Sequence, residues 1–283
     1  MNPHSDTLSD AGDDGRHSVL RMERRLTHPP AEVWSAITRP AHLAHWFPSE
    51  VTLDLRPGGA MGFHFPGDAG PGMTGEVTDA EEPRLFAFSW GDDHLRWEIA
   101  PEKDGSLLTL VHTFGDRFGA PSFAAGWHLC MSALAQHLDG GPVDVSRDAG
   151  ELHEAYLEQF DLGHGEVTGG DTPGIRFERQ LVRPAAEVWA ELCAGDVPLK
   201  GDTAPDGFLA DGISDGPVTA VDEPASLTYT VHPDGEVRWE FSAGTGYGTR
   251  LVLTQTGIAG DVDAVLAAWH ARIERLAGQL LDG

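Results

Sequence analysis

The chain has 283 residues, 40% of them hydrophobic and 8% aromatic, with 45 acidic against 19 basic side chains and a formal charge of −26. So acidic a chain repels phosphate backbones and lacks the basic patch that nucleic-acid binding requires. No stretch approaches the ~20 apolar residues of a membrane span; a cytoplasmic protein with neither nucleic acid nor membrane span is expected.

In chain order, residues 1–17 are polar and acidic and read as a disordered tail. Ser18 to Thr27 is a β-like run. Pro29 and Pro30 then open a helix over Ala31 to Thr38, because proline in a first helical turn gives up an N–H that has no helical partner. A short second helix is expected over Ala41 to Trp46. Six strands follow, at 51–55, 60–65, 72–79, 85–90, 95–100 and 107–114, each bounded by Gly, Pro or Asp. Alternation puts Phe86, Phe88 and Trp90 on one face, as it does Leu95, Trp97 and Ile99, and Leu108, Leu110, His112 and Phe114. A longer helix runs from about Ala120 to Leu138, with Phe123, Trp127, Cys130, Leu134 and Leu138 along one side. Residues 141–174 hold an amphipathic segment from Glu151 to Leu162 and a Gly-rich linker from Gly163 to Gly174.

The chain then repeats itself. Met22-Glu-Arg-Arg-Leu returns as Phe177-Glu-Arg-Gln-Leu, Ala31-Glu-Val-Trp34 as Ala186-Glu-Val-Trp189, Leu95-Arg-Trp-Glu98 as Val237-Arg-Trp-Glu240, and Gly126-Trp-His128 as Ala268-Trp-His270. A repeat this long is a whole domain with its own core. Two homologous domains are expected, at 18–140 and 175–283, each of the α+β class with an antiparallel sheet curled around its last helix. The second is shorter between Trp189 and Val218 than the first is between Trp34 and Val77. It has no counterpart of His45-Trp-Phe-Pro48 or of Arg56-Pro-Gly-Gly59. Function in that region belongs to the first copy.

Pro29-Pro-Ala-Glu-Val-Trp-Ser-Ala-Ile37, the Trp46-Phe47-Pro48 turn, Asp54-Leu-Arg-Pro-Gly-Gly59, the Glu82-Pro83 turn and Gly126-Trp127 resemble the START-like SRPBCC superfamily, in the branch similar to the C-terminal domain of the heat-shock-protein-90 ATPase activator. The resemblance covers Val19 to about Gly140 well and Ile175 to Gly283 more loosely. It implies two tandem helix-grip domains, the second degenerate, and a cavity between sheet and last helix.

Trp46, Phe63, Phe65, Phe88, Trp90, Trp97 and Trp127 are the candidate lining of an apolar pocket, with His112 as its polar handle. The competing reading is that these rings fill the core and that His112 is a hydrogen-bonded core group, as its counterpart Gln255 would be. Arg96 and Glu98, repeated as Arg238 and Glu240, read as an outer-face ion pair. His42 and His45 can share a helical face, but spacing places no third metal ligand. Cys130 and Cys193 stand in no C-x-x-C pattern, and no nucleophile elbow or phosphate loop occurs. No metal or cofactor is expected. The function expected is non-catalytic binding of a small hydrophobic molecule by the first domain, with the second structural. The resemblance implies two alternatives: a polyketide cyclase/aromatase-like enzyme using His112 or His64 as acid or base, and a module that binds a chaperone or other protein.

Overall fold

The computed structural model describes residues 6–12, 16–67, 70, 72–143, 149–169, 173–246 and 248–282. The chain divides into two compact units, residues 1–149 without 121–123, and the remainder. Among the described residues no helix is long and apolar enough to cross a membrane.

The first unit runs β1 (Thr7–Ala11), β2 (His17–Leu26), α1 (Pro30–Thr38), α2 (Pro40–Leu43), β3 (Glu50–Leu53), β4 (Ala60–His64), β5 (Met73–Glu81), β6 (Leu85–Trp90), β7 (Asp93–Glu102), β8 (Gly105–Phe114) and α3 (Ala120–Leu138). All eight strands form one antiparallel sheet in the order β1-β2-β8-β7-β6-β5-β4-β3. Alternation decides the faces. On β8, Leu108, Leu110, His112 and Phe114 are fully buried, and α3 lies over that face through Trp127, whose ring stands 5.7 Å from Trp97. The Arg56-Pro-Gly-Gly59 stretch turns β3 into β4. Gly58 adopts φ +78°, and a Cβ on Gly59 would lie 1.9 Å from the carbonyl oxygen of Asp54, so neither position takes a side chain without strain.

The second unit runs α4 (Ala149–Gln159), β9 (Glu166–Thr168), β10 (Gly174–Gln180), α5 (Ala185–Cys193), β11 (Val218–Asp222), β12 (Ser226–Val231), β13 (Gly235–Ala243), β14 (Thr249–Thr256) and α6 (Val262–Asp282). Its sheet has the order β9-β10-β14-β13-β12-β11, which is the first sheet without β4 and β3. The missing hairpin is the segment that the shorter second copy lacks in sequence. Both closing helices are pinned to the sheet in the same way. The Trp127 indole N–H donates to His112 Nδ1 at 3.2 Å, and the Trp269 indole N–H donates to Gln255 Oε1 at 2.6 Å. His112 pairs with Leu20 and Leu95 across the sheet, and Gln255 with Ile175 and Val237, so the two acceptors hold the same lattice position.

Two segments differ from the sequence expectation. Part of the 1–17 tail is ordered: Thr7–Ala11 pairs with His17–Arg21 as an edge strand, while residues 1–5 and 13–15 of that tail lie outside the described residues. In the Gly-rich linker, Glu166–Thr168 pairs with Gly174–Arg176. Both strands were invisible because an edge strand exposed on its faces needs no apolar alternation, only a partner for its backbone.

These segments also bring charge to buried arginines. Arg24, on the inner face of β2, meets Asp6 through two bonds of 2.7 and 2.9 Å, and both side chains are buried. Its counterpart Arg179 meets Glu154 of α4 at 2.6 Å and Glu274 of α6 at 2.7 Å. Beside Glu154, His153 donates from Nε2 to the Gln180 carbonyl, and burial, the largest cause, lowers its pKa to about 4.

Asp6→Ala takes the carboxylate away from a buried guanidinium and should cost the first unit about 3 kcal/mol; a urea melt within error of wild type would return Asp6 to a tail. Trp269→Phe keeps the ring but leaves Gln255 without its indole donor, a loss of about 1–3 kcal/mol, and Trp127→Phe should cost a similar amount at His112. For His153 the folded pKa lies below the unfolded value of 6.5, so the unfolded chain takes up the proton first. Its contribution is therefore complete above pH 6.5 and declines by about 3 kcal/mol as pH falls to 4. His153→Gln should flatten that part of the stability–pH profile, measured by denaturant melts of the second unit's transition.

Candidate functional site

The expected aromatic residues lie on one face of the first sheet. Phe63 comes from β4, Phe88 and Trp90 from β6, Trp97 from β7, Trp127 from α3, and Trp46 from the turn after α2. They touch one another: Trp46 and Trp97 at 5.8 Å between centroids, Phe63 and Phe88 at 5.8 Å, Trp90 and Trp127 at 5.6 Å, Phe65 and Trp90 stacked at 6.1 Å. The rings pack against each other, edge to face or tilted, in the arrangements their quadrupoles favour. Phe47, which the sequence reading did not single out, joins them, with its ring about 6 Å from Phe63, Trp90 and Trp127.

Burial falls off toward one end of the cluster. Phe63, Phe88, Trp97 and Trp127 are buried, whereas Phe65 and Trp90 are half-buried and neighbouring Met73 is 40% exposed. Trp46 is tied down by its indole N–H, which donates to the Ala36 carbonyl at 3.0 Å. The indole nitrogen of Trp90 is different. It is buried and, among the described residues, has no hydrogen-bond partner, as is also true of the Trp239 indole nitrogen in the second unit. Its counterpart in the second unit is Val231, which has no polar side-chain atom, and the Tyr229 hydroxyl nearby is committed to the Phe208 carbonyl at 2.8 Å.

His112 is fully buried and saturated on both sides. Because the Trp127 N–H donates to Nδ1, that nitrogen carries the lone pair in the neutral ring, and Nε2 carries the proton toward Asp93 Oδ2 at 3.0 Å. Asp93 was missed in the sequence. The signal available was its parity with Leu95 and Trp97 on β7, which points it inward opposite Trp90. In the second unit Gly235 stands there, so a half-buried carboxylate beside the closing tryptophan is particular to the first.

His64, the other candidate acid or base, is exposed and faces away from Phe63. A cleft of about 550 Å³ lies elsewhere, lined by Leu85, Ile99, Leu107, Arg21, Arg96 and Glu98 among others. Its Arg21–Glu23 and Arg96–Glu98 pairs, each 2.7 Å, recur in the second unit as Arg176–Glu178 and Arg238–Glu240. Such a ladder on both sheets serves the fold and marks no ligand.

Three histidines also meet. His42 Nδ1 is 3.0 Å from His137 Nε2, and the His45 ring stacks on His137 at 4.5 Å. Sequence spacing pairs the first two, and only the fold supplies His137. Among the described residues no three His, Cys, Asp or Glu side chains are arranged to hold a metal ion. Cys130 is no nucleophile, since burial pushes its thiol up to about 12.

Part of the chain is similar to known proteins. The family model described as Activator of Hsp90 ATPase homolog 1-like protein matches residues 27–139. Among solved structures, a conserved protein of unknown function from Enterococcus faecalis is 21% identical, with 56% of this chain and 91% of that chain covered and a TM-score of 0.48. CalU16 from Micromonospora echinospora is 27% identical over 54% of this chain and 95% of its own, with a TM-score of 0.44. No curated protein matches. The matched residues 27–139 run from the approach to α1 through the whole of α3, so what is similar to the Activator of Hsp90 ATPase homolog 1-like family is the first unit.

Proposed function

We propose that the first unit binds a small, mainly apolar, uncharged molecule carrying one hydrogen-bond acceptor, and that the second unit is its structural partner. The observation that carries this reading is the Trp90 indole N–H. A buried donor without a partner costs about 1–3 kcal/mol, and the Val231 counterpart indicates that the fold does not require it. An acceptor oxygen on a ligand entering between Phe65 and Trp90 supplies the missing partner, while the surrounding rings supply apolar contact. The Asp93 carboxylate close by, on a chain of charge −26, disfavours an anion. The same geometry argues against an acid–base enzyme: both nitrogens of His112 are engaged, and His64 lies on the outside.

Fluorene and 9-fluorenone share a skeleton and differ by one carbonyl acceptor, so calorimetric titration of the full chain with each separates the two parts of the reading. Fluorenone should bind about fivefold more tightly, the worth of one neutral hydrogen bond. Trp90→Phe should remove that preference and leave fluorene affinity nearly unchanged. If neither compound binds, the aromatic cluster is only a core. Equal binding by wild type would refute the role of Trp90.

A further inference from the structure

The segment 40–47 covers the aromatic cluster. Its inner side chains, Leu43, Trp46 and Phe47, are buried, with Phe47 against Phe63, Trp90 and Trp127. Its outer side carries His42 and His45, both set on His137 in the last turn of α3. We propose that these three histidines are a proton-operated latch that holds the segment down while the trio carries at most one proton and releases it when a second arrives.

The argument is one of hydrogens. Two neutral rings 3.0 Å apart at His42 Nδ1 and His137 Nε2 share one N–H between them. A first added proton goes to a nitrogen facing away and keeps that bond. A second places a hydrogen on both facing nitrogens and two like charges at contact distance, with His45 stacked against one of them. Among the described residues no neighbour absorbs the second charge. His28 Nε2 and Asp139 Oδ1 stand 3.7 Å from each other, while Glu32 of α1, Arg39 ahead of α2 and Glu50 of β3 are exposed. The C-terminus of α3 favours a cation on His137, yet burial first, and then His45 and His42, lower its pKa, so the charged form is disfavoured there.

The sign follows from linkage. The closed segment binds fewer protons than the open one below the ordinary histidine pKa of about 6.5, so opening should rise by up to about tenfold per pH unit as pH falls from there. Every amide from His42 to Phe47 donates within 39–47, for instance Phe47 N–H to Leu43 O at 2.8 Å, so exchange of these amides reports local opening. The test is hydrogen exchange on the full chain between pH 7.5 and 5.5, referred to the intrinsic rate at each pH. Protection over 43–47 should fall selectively while β7 and β8 amides hold, and a His42→Gln, His137→Gln double variant should lose the pH dependence. The latch is refuted if wild type shows no selective opening, or if the double variant keeps the wild-type slope. Should that variant fail to fold, ring NMR of wild type decides: opening must follow protonation of His137, and opening that follows His28 or no histidine overturns the proposal. The latch stands whether or not the cluster holds a ligand.

Discussion

One hydrogen bond fixes how each closing helix meets its sheet. Apolar burial alone presses a helix onto a sheet but leaves its rotation and axial position loosely determined, because the hydrophobic effect has no direction. An indole N–H does have direction, and once buried it is costly to leave unmet. In both units the acceptor comes from the strand between the first long strand and the hairpin strands, so the bond sets helix and sheet in a common frame. The choice of acceptor then decides what else the interior can hold. Gln255 meets Trp269 with its carbonyl oxygen. His112 accepts on one nitrogen, which fixes a proton on the other, and that proton brings in Asp93. A change from glutamine to histidine thereby carries a carboxylate into the first unit.

The two buried arginines show a second dependence of the same kind. Arg24 and Arg179 sit at equivalent inner positions, where an unpaired guanidinium would be strongly destabilising. Each draws a carboxylate from a segment that precedes its strand, Asp6 in one case and Glu154 in the other. The pairing is repeated while the local structure that delivers it is not, an extended arm in the first unit and a helix in the second. The acidic composition of the chain makes such partners easy to supply.

This explains what could be read in the sequence. The doubling, the strands with apolar alternation and the closing helices rest on local periodicity, and they stand in the structure within a few residues of where periodicity puts them. The inward faces of Phe88, Trp97, His112 and Trp127 follow from the same parity. The edge strands β1 and β9 pair with the next strand in the chain but carry no apolar alternation, while the Asp93 partner of His112 and the meeting of His137 with His42 join residues from separate elements, so no local pattern encodes them. Parity also gives the direction of a ring without saying whether neighbouring rings leave space. The ring-to-ring distances near 6 Å come from packing alone.

Trp90 is where the levels of the structure disagree. Its position alternates correctly, its ring packs against five aromatic neighbours, and yet its indole nitrogen is buried without an acceptor. Among the described residues the Ser49 hydroxyl and the Trp239 indole nitrogen are unmatched too, but Trp90 lies at the half-buried end of the aromatic cluster, and a local inconsistency of this kind is the usual mark of a place shaped by something other than folding. The residue that touches Trp90 from above is Phe47, and Phe47 belongs to the segment whose outer face rests on His137. A ring beside the unmatched donor is thus mounted on a segment held partly by apolar packing, which is indifferent to pH, and partly by imidazole contacts, which are not. On the proposed latch, a second proton taken up by the histidines weakens only the second hold, so acidification should loosen the cover of the aromatic cluster without dissolving the sheet and helix beneath it.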